Sequence, residues 1–218
     1  MIDNSLKNRC LKKTNYKDVS LNLFDSFKNI KLIVFDFDDT LYQNIGWHGF
    51  NDFVLKNTKE IFANLSQTEF ENMLCKYNFT GDRIIESLAY ITLKEKGSTK
   101  EFCRFVESIK FEGDYTAVKI FPADILKDLA KKYTLYILSN SSVPNIKFVS
   151  SRINLDLKPF KKIYSNQFKK EDLSKTKRLK DILKQSKLKP SQILMVGDSI
   201  QYDLLPAKQL GMQVLLVE

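Results

Sequence analysis

Histidine is almost missing from this chain of 218 residues, with His48 the only one. A metal site built from several histidines is therefore excluded, and a Ser-His-Asp relay would hang on that single side chain. Cysteine is equally sparse. Cys10, Cys75 and Cys103 are odd in number, widely spaced and without a CxxC pair, which speaks against a disulfide framework or zinc ribbon and for a reducing cytoplasm. No apolar run approaches the roughly 20 residues that span a bilayer. The basic start, residues 1–17, has no apolar stretch behind it and does not read as a secretory signal. Internal repeats and low-complexity tracts are absent too.

What is present is the balance of a folded globular protein, 43% hydrophobic and 28% charged residues. At 25.4 kDa the chain is one large domain or a domain with an insert. Its net charge of +9 raises a nucleic acid, an anionic surface or an anionic substrate as partner. The excess is local. It amounts to +3 over residues 1–30, −2 over 31–42, −1 over 43–120 and +9 over 121–218. Residues 158–189 alone hold twelve Lys or Arg against three acids, a basic flank suited to steering phosphorylated molecules or simply a solvated helix surface.

Apolar, β-branched runs at residues 31–35 and 192–196 read as buried parallel strands, each followed by an acidic loop. A third, 133–138, ends in Ser139 and Asn140, and 162–164 and 213–217 are weaker strand candidates. Helical spacing appears between them: Ile125, Leu126, Leu129 and Ala130 within 122–132, and Leu179, Ile182 and Leu183 within 173–188. Strands alternating with helices predict an α/β fold with a doubly wound, Rossmann-like parallel sheet. From 43 to 120 the pattern becomes helical throughout, with amphipathic stretches at 50–65 and 82–96, and predicts an all-helical insertion. The expected organisation is an N-terminal extension over 1–30, a core of 31–42 plus 121–218, and the insertion over 43–120. Residues 1–18, polar and rich in Lys and Asn, are expected to be loosely ordered, with a short helix at 21–27 leading into the first strand.

The densest chemical signal is the run Asp36-Phe37-Asp38-Asp39-Thr40-Leu41-Tyr42 directly after the first strong strand. Three carboxylates in four positions repel one another and raise one another's pKa unless a cation is bound, so a divalent metal is the natural resolution. A second acidic loop, Gly197-Asp198-Ser199-Ile200-Gln201-Tyr202-Asp203, follows the 192–196 strand. Taken alone, Asp198 or Asp203 reads equally as a helix N-cap. Both loops together, rich in oxygen and without histidine, suit Mg2+.

The motifs DFDDTLY, LYILSN and VGDSIQYD, in this order after three strands, resemble motifs one, two and four of the haloacid dehalogenase-like hydrolase superfamily, over residues 31–218. The resemblance implies that Asp36 is a nucleophile forming a phosphoaspartate and that Asp38 acts as general acid and then base. Dehalogenases lack that second Asp, so its presence favours phosphoryl chemistry. Mg2+ would be held by Asp36, the Asp38 carbonyl and Asp198, with Asp203 as ligand or support. Thr40, Ser139 and Asn140 fit the hydroxyl and phosphoryl-binding positions. The family also supplies a lysine before motif four. No Lys-Pro occurs at that place, and Ser174-Lys175-Thr176-Lys177-Arg178-Leu179 resembles a variant that points to Lys175, with Lys169, Lys170 and Lys177 as rivals. The insertion has the position and length of the family's small helical cap. Tyr42, Trp47, His48 and Phe50 are placed either to line the pocket beneath it or to fill its core.

The expected activity is that of a cytoplasmic, Mg2+-dependent phosphatase. Weaker similarity to pyrimidine 5′-nucleotidase-like members, over 91–106 and 121–141, makes nucleoside monophosphates the first substrate class, with sugar phosphates and phosphoglycolate as rivals. A phosphomutase shares all four motifs. A non-catalytic protein binding anions or nucleic acid on the same scaffold is the other class, against which stand the intact Asp36, Asp38 and Asp198 and the lack of any RNA-recognition signature. Expected partners are a small phosphorylated substrate, with neither membrane nor nucleic acid, and the chain acting as a monomer or homodimer.

Overall fold

The computed structural model describes residues 12–15, 18–44, 118–141, 143–165 and 175–218, together with the isolated positions 66 and 68. Most of the expected helical insertion, with Trp47, His48 and Phe50, and the rival lysines Lys169 and Lys170 lie outside the described residues. Among those described, six strands form one sheet in the order β1-β8-β7-β2-β5-β6. They are β1 (Lys12–Thr14), β2 (Leu32–Phe35), β5 (Thr134–Ser139), β6 (Phe160–Ser165), β7 (Ile193–Gly197) and β8 (Gln213–Val217). Every pairing in it is parallel. Two further strands, β3 (Tyr42–Asn44) and β4 (Val118–Ile120), pair antiparallel where the chain leaves the sheet and where it returns. No helix of the described residues is long and apolar enough to cross a membrane.

The central strands are apolar on both faces because both faces are covered. Ile33 and Phe35 of β2 look into one core, with Phe24, Leu126, Leu129 and Ile146. Leu32 and Val34 look into the other, with Leu179, Ile182 and Leu204. The first core is capped by α1 (Leu21–Asp25), α2 (Ala123–Lys132) and α3 (Val143–Arg152), the second by α4 (Thr176–Ser186) and α5 (Leu205–Gln209). Period-two alternation on a doubly covered sheet thus gives the doubly wound architecture expected from the strand and helix order. In α2, Asp124 in the first turn and Lys131 and Lys132 in the last complement the helix dipole.

The β3–β4 ribbon departs from the all-helical reading of 43–120, since Gln43, Asn44 and Val118–Ile120 are strand, paired backbone to backbone where a short ribbon needs little apolar pattern. Two further elements depart as well. Lys12–Thr14 is not loose: it adds to the sheet beyond β8, with Thr14 buried, Glu218 N–H donating to Thr14 O at 2.9 Å and Lys13 paired with Glu218 at 2.8 Å. A three-residue strand with two outward lysines carries almost no apolar pattern, but it suits a sheet edge, where charge discourages pairing with other chains. Helix α3 was not expected at all. Pro144 at its second position and buried Ile146 and Val149 are its signals, too few apolar positions to stand out as a helical pattern.

Phe35 sits at the centre of an aromatic cluster, with ring centroids 5.4 Å from Phe121, 5.9 Å from Phe160 and 6.3 Å from Phe24. It joins α1, β6 and the strand that precedes the first acidic loop. Phe35→Ala should destabilise the fold by about 3–5 kcal/mol through lost transfer energy and the cavity left behind. Urea unfolding followed by circular dichroism measures this, and a loss under about 1 kcal/mol would show that the site can collapse.

Candidate active site at the carboxyl edge of the sheet

Strand register brings the acidic loops together. Phe35 is level with Ile137 of β5 and with Val196 of β7, so Ser139 and Asp198 each lie one residue beyond the level of Asp36. The Asp36 N–H donates to Val196 O at 2.8 Å, which extends the ladder one step past the strand and holds that carboxylate at the edge. The chain then turns tightly. Thr40 and Leu41 N–H donate to Phe37 O at 3.4 and 3.0 Å, with Asp39 at φ 55°, a left-handed conformation that Asp tolerates better than most side chains. Phe37 points into the core, so Asp36 and Asp38 on either side of it point toward the site.

Lys175 stands at the N-cap of α4 and is only 2% exposed. Its Nζ donates to Asp36 Oδ1 and, at 2.5 Å, to Asp203 Oδ1. Of the rival lysines, Lys177 lies on the exposed side of α4. Asp203 is buried in a π-helical turn, Ile200–Leu204, and its second oxygen accepts the Ser199 N–H at 3.0 Å. Both its oxygens are therefore engaged. Gly197 is required by close approach: a Cβ there would sit 2.5 Å from Asp203 Oδ2.

Asp38 is held by hydroxyls. Oδ1 accepts from Tyr42 OH at 2.7 Å, and Oδ2 accepts from Ser139 Oγ at 3.1 Å and Ser141 Oγ at 2.7 Å. The Ser141 N–H in turn donates to Ser139 Oγ at 2.9 Å. Thr40, fully buried, donates to Asp198 Oδ1 at 3.3 Å and so bridges the two acidic loops. Asn140 is half-buried in the turn after β5. Sequence reasoning missed Ser141, whose only signal is its place two residues after Ser139, and the Tyr42 hydroxyl, four residues after Asp38. Tyr42 is buried in the core against the sheet, its ring centroid 5.0 Å from that of Phe37, and not in the core of the insertion as one expectation had it; its hydroxyl reaches the site.

Four carboxylates share this edge with one buried ammonium. Burial pushes Asp36 well above the ordinary carboxylate range; Lys175 opposes that, and Asp203, Asp198 and Asp38 add to it. Asp198, open to solvent on its outer side, is pushed up to about 6 by desolvation first and by Asp203 next. Burial alone would lower Lys175, but Asp203 and Asp36 outweigh it and hold it above its ordinary value. One carboxylate oxygen from each of Asp36, Asp198 and Asp203 lies within 4.8 Å of the others. An all-oxygen donor set whose ionised form is disfavoured for want of positive charge fits a hard divalent cation. With Asp203 tied to Lys175 and Ser199, the side chains best disposed to face a cation directly are Asp36 and Asp198.

The model of the haloacid dehalogenase-like hydrolase family matches residues 30–211, which contain all of this edge. The chain belongs to that family. Solved structures with the same fold include a haloacid dehalogenase-like hydrolase from Streptococcus pneumoniae (20% identity, 88% of this chain and 86% of that one, TM-score 0.53). Others are a HAD phosphatase from Thermococcus onnurineus (18%, 87% and 86%, TM-score 0.53) and a 2-haloacid dehalogenase from Pseudomonas syringae (20%, 86% and 86%, TM-score 0.51). Comparison with curated proteins finds no match. The hydrolase fold therefore accounts for where Asp36, Ser139 and Asp198 meet.

Two measurements test the electrostatics of this hydrolase. Lys175→Met leaves two buried carboxylates without their cation, and removing one partner of a buried pair costs about 3–5 kcal/mol, readable in urea unfolding. Asp198 titrates near 6 when folded and near its ordinary 3.8 when unfolded, so between these values only the folded state holds the proton. Its contribution to stability thus falls as pH rises from about 4 to about 6. Asp198→Asn should raise the melting temperature of metal-free protein at pH 7.5 and converge with wild type near pH 4; a difference constant with pH would exclude Asp198 as the titrating group.

Proposed function

We propose that this hydrolase is a Mg2+-dependent phosphatase of small phosphorylated metabolites, working through a phosphoaspartate on Asp36. The observation that carries the reading is the pairing of Asp36, held by buried Lys175, with Asp38 two residues on, held by three hydroxyls. A carboxylate oxygen of Asp36 attacks phosphorus while the bond to the leaving oxygen breaks, and Asp38 delivers the proton that the leaving oxygen takes up. Asp38, now a carboxylate, removes a proton from water as its oxygen attacks the phosphoaspartate. Phosphate departs and the Asp36 carboxylate is restored. Lys175 fixes Asp36 and offsets charge on the phosphoryl group.

Asp36, Asp198 and the Asp38 backbone carbonyl would hold Mg2+, with Asp203 behind them, and the ion when bound supplies positive charge against the phosphoryl oxygens. Ser139 and Asn140, at the end of β5, are the side chains proposed to contact those oxygens. Asp38 is what separates this reading from carbon–halogen hydrolysis, the chemistry named for the Pseudomonas syringae relative. Nucleoside monophosphates are the first substrate class, by the resemblance of the chain to pyrimidine 5′-nucleotidase-like proteins. A cytoplasmic location accords with cysteines that are few, odd in number and without a CxxC pair.

Asp36→Asn should abolish phosphate release from a panel of nucleoside monophosphates, sugar phosphates and phosphoglycolate while leaving the circular dichroism spectrum intact. Chelation of divalent metal should silence the wild type in the same way, and added Mg2+ should restore it. Hydrolysis undiminished in Asp36→Asn would sink the reading. A requirement for a bisphosphate activator with little free phosphate would instead indicate a phosphomutase.

A further inference from the structure

Tyr42 stands outside the chemistry just described, yet its hydroxyl ends on the group that must move the proton. We propose that Tyr42 is a positioning residue whose hydroxyl sets the orientation of the Asp38 carboxylate for both proton transfers, an inference that rests on the phosphatase reading. The hydrogen bond is 2.7 Å, from Tyr42 OH to Asp38 Oδ1. Among the described residues it is one of three donors on this carboxylate, and the other two, Ser139 and Ser141, both come from the end of β5 and meet Oδ2. Tyr42 alone among these approaches Oδ1. With donors on opposite oxygens, rotation of the carboxylate about its own axis is opposed from both sides.

The tyrosine is rigid enough for that task. Its side chain is 1% exposed and its ring lies against Phe37, centroids 5.0 Å apart. Its backbone pairs with Ile120 in the β3–β4 ribbon, and the Leu41 carbonyl just before it accepts the Phe121 N–H at 2.8 Å. The loop that carries Asp38 thus closes on itself: Asp38 and Tyr42 also form an isolated backbone bridge across the turn. A buried tyrosine must give its hydroxyl a partner, and backbone carbonyls serve in most proteins. Here the partner is the side chain proposed to act as acid and base. A hydrogen bond to a charged group contributes about 1.5–3 kcal/mol, so losing it while the ring stays costs roughly ten- to hundredfold in any step where Asp38 must be aligned.

Tyr42→Phe removes the hydroxyl and keeps the ring. Steady-state kinetics on an alkyl phosphate, whose leaving oxygen needs a proton, should show kcat at least tenfold lower with KM within about twofold of wild type. On p-nitrophenyl phosphate, whose leaving group departs unprotonated, the first step should survive and the second, which needs Asp38 as base, should lag. A pre-steady-state burst of nitrophenolate absent from the wild type is then expected. Ser141→Ala, which removes a donor from Oδ2, should show the same dependence on leaving group. Equal losses on both substrates without a burst, unchanged kcat on both, or a loss confined to KM would overturn the inference, as would failure of Tyr42→Phe to fold. Wild type releasing phosphate from neither substrate, with or without Mg2+, would overturn the phosphatase reading itself.

Discussion

The buried ammonium of Lys175 is the contact on which the rest of this edge depends. Asp36 and Asp203 are almost wholly withdrawn from water, and two such carboxylates side by side would not be tolerated without a cation between them. Lys175 supplies it from the N-cap of α4, Asp36 from the end of β2 and Asp203 from the π-helical turn after β7. Three separate parts of the chain are thereby pinned at one point. The arrangement is not chiefly a source of stability, since buried ion pairs rarely outdo apolar packing. Its value is that the carboxylate proposed as nucleophile is oriented and kept beside positive charge.

Around that point the fold uses short polar links to set each remaining oxygen. Thr40 joins the first acidic loop to Asp198, Ser199 N–H takes the second oxygen of Asp203, and three hydroxyls converge on Asp38. Gly197 is part of the same economy of space, because Asp203 packs where any side chain would begin. Burial first, and the crowding of carboxylates next, raise Asp36 and Asp198. One oxygen from each of Asp36, Asp198 and Asp203 lies close enough to the others to fit a divalent cation.

The described part of the basic excess of residues 158–189 divides three ways, with Arg178 half-buried between Asp181 and the Ser165 carbonyl. Lys175 is buried and paired, whereas Lys158, Lys161, Lys162, Lys177, Lys180, Lys184, Lys187 and Lys189 are exposed on β6, on α4 and in the segments beside them. Lys161 and Lys162 lie on the outermost strand of the sheet, where charge discourages edge-to-edge association. Among the described residues of this stretch, the charge that first suggested a polyanion as partner is mostly solvated surface, with one lysine drawn inward.

Much of this was written locally. The apolar runs of β2, β5, β7 and β8 and the acidic loops after β2 and β7 could be read from composition and period alone, because a strand buried on both faces must be apolar throughout and a loop at its end must be polar. The three residues of β1 and the helix α3 could not, since their apolar content is too small to declare itself before the neighbouring sheet gives it something to cover. Composition and spacing did not rank the lysines, which are chemically alike; the resemblance pointed to Lys175, and the start of α4 meeting the ends of β2 and β7 is what buries it while Lys177 stays exposed. Composition and spacing did not single out the hydroxyls of Tyr42 and Ser141 either. By itself the chain determined which carboxylates would gather at the carboxyl edge, because strand ends and loop residues are local properties. Tertiary structure decided which cation and which hydroxyls would answer them, because those contacts cross between segments up to 158 residues apart and exist only once the parallel strands are in register.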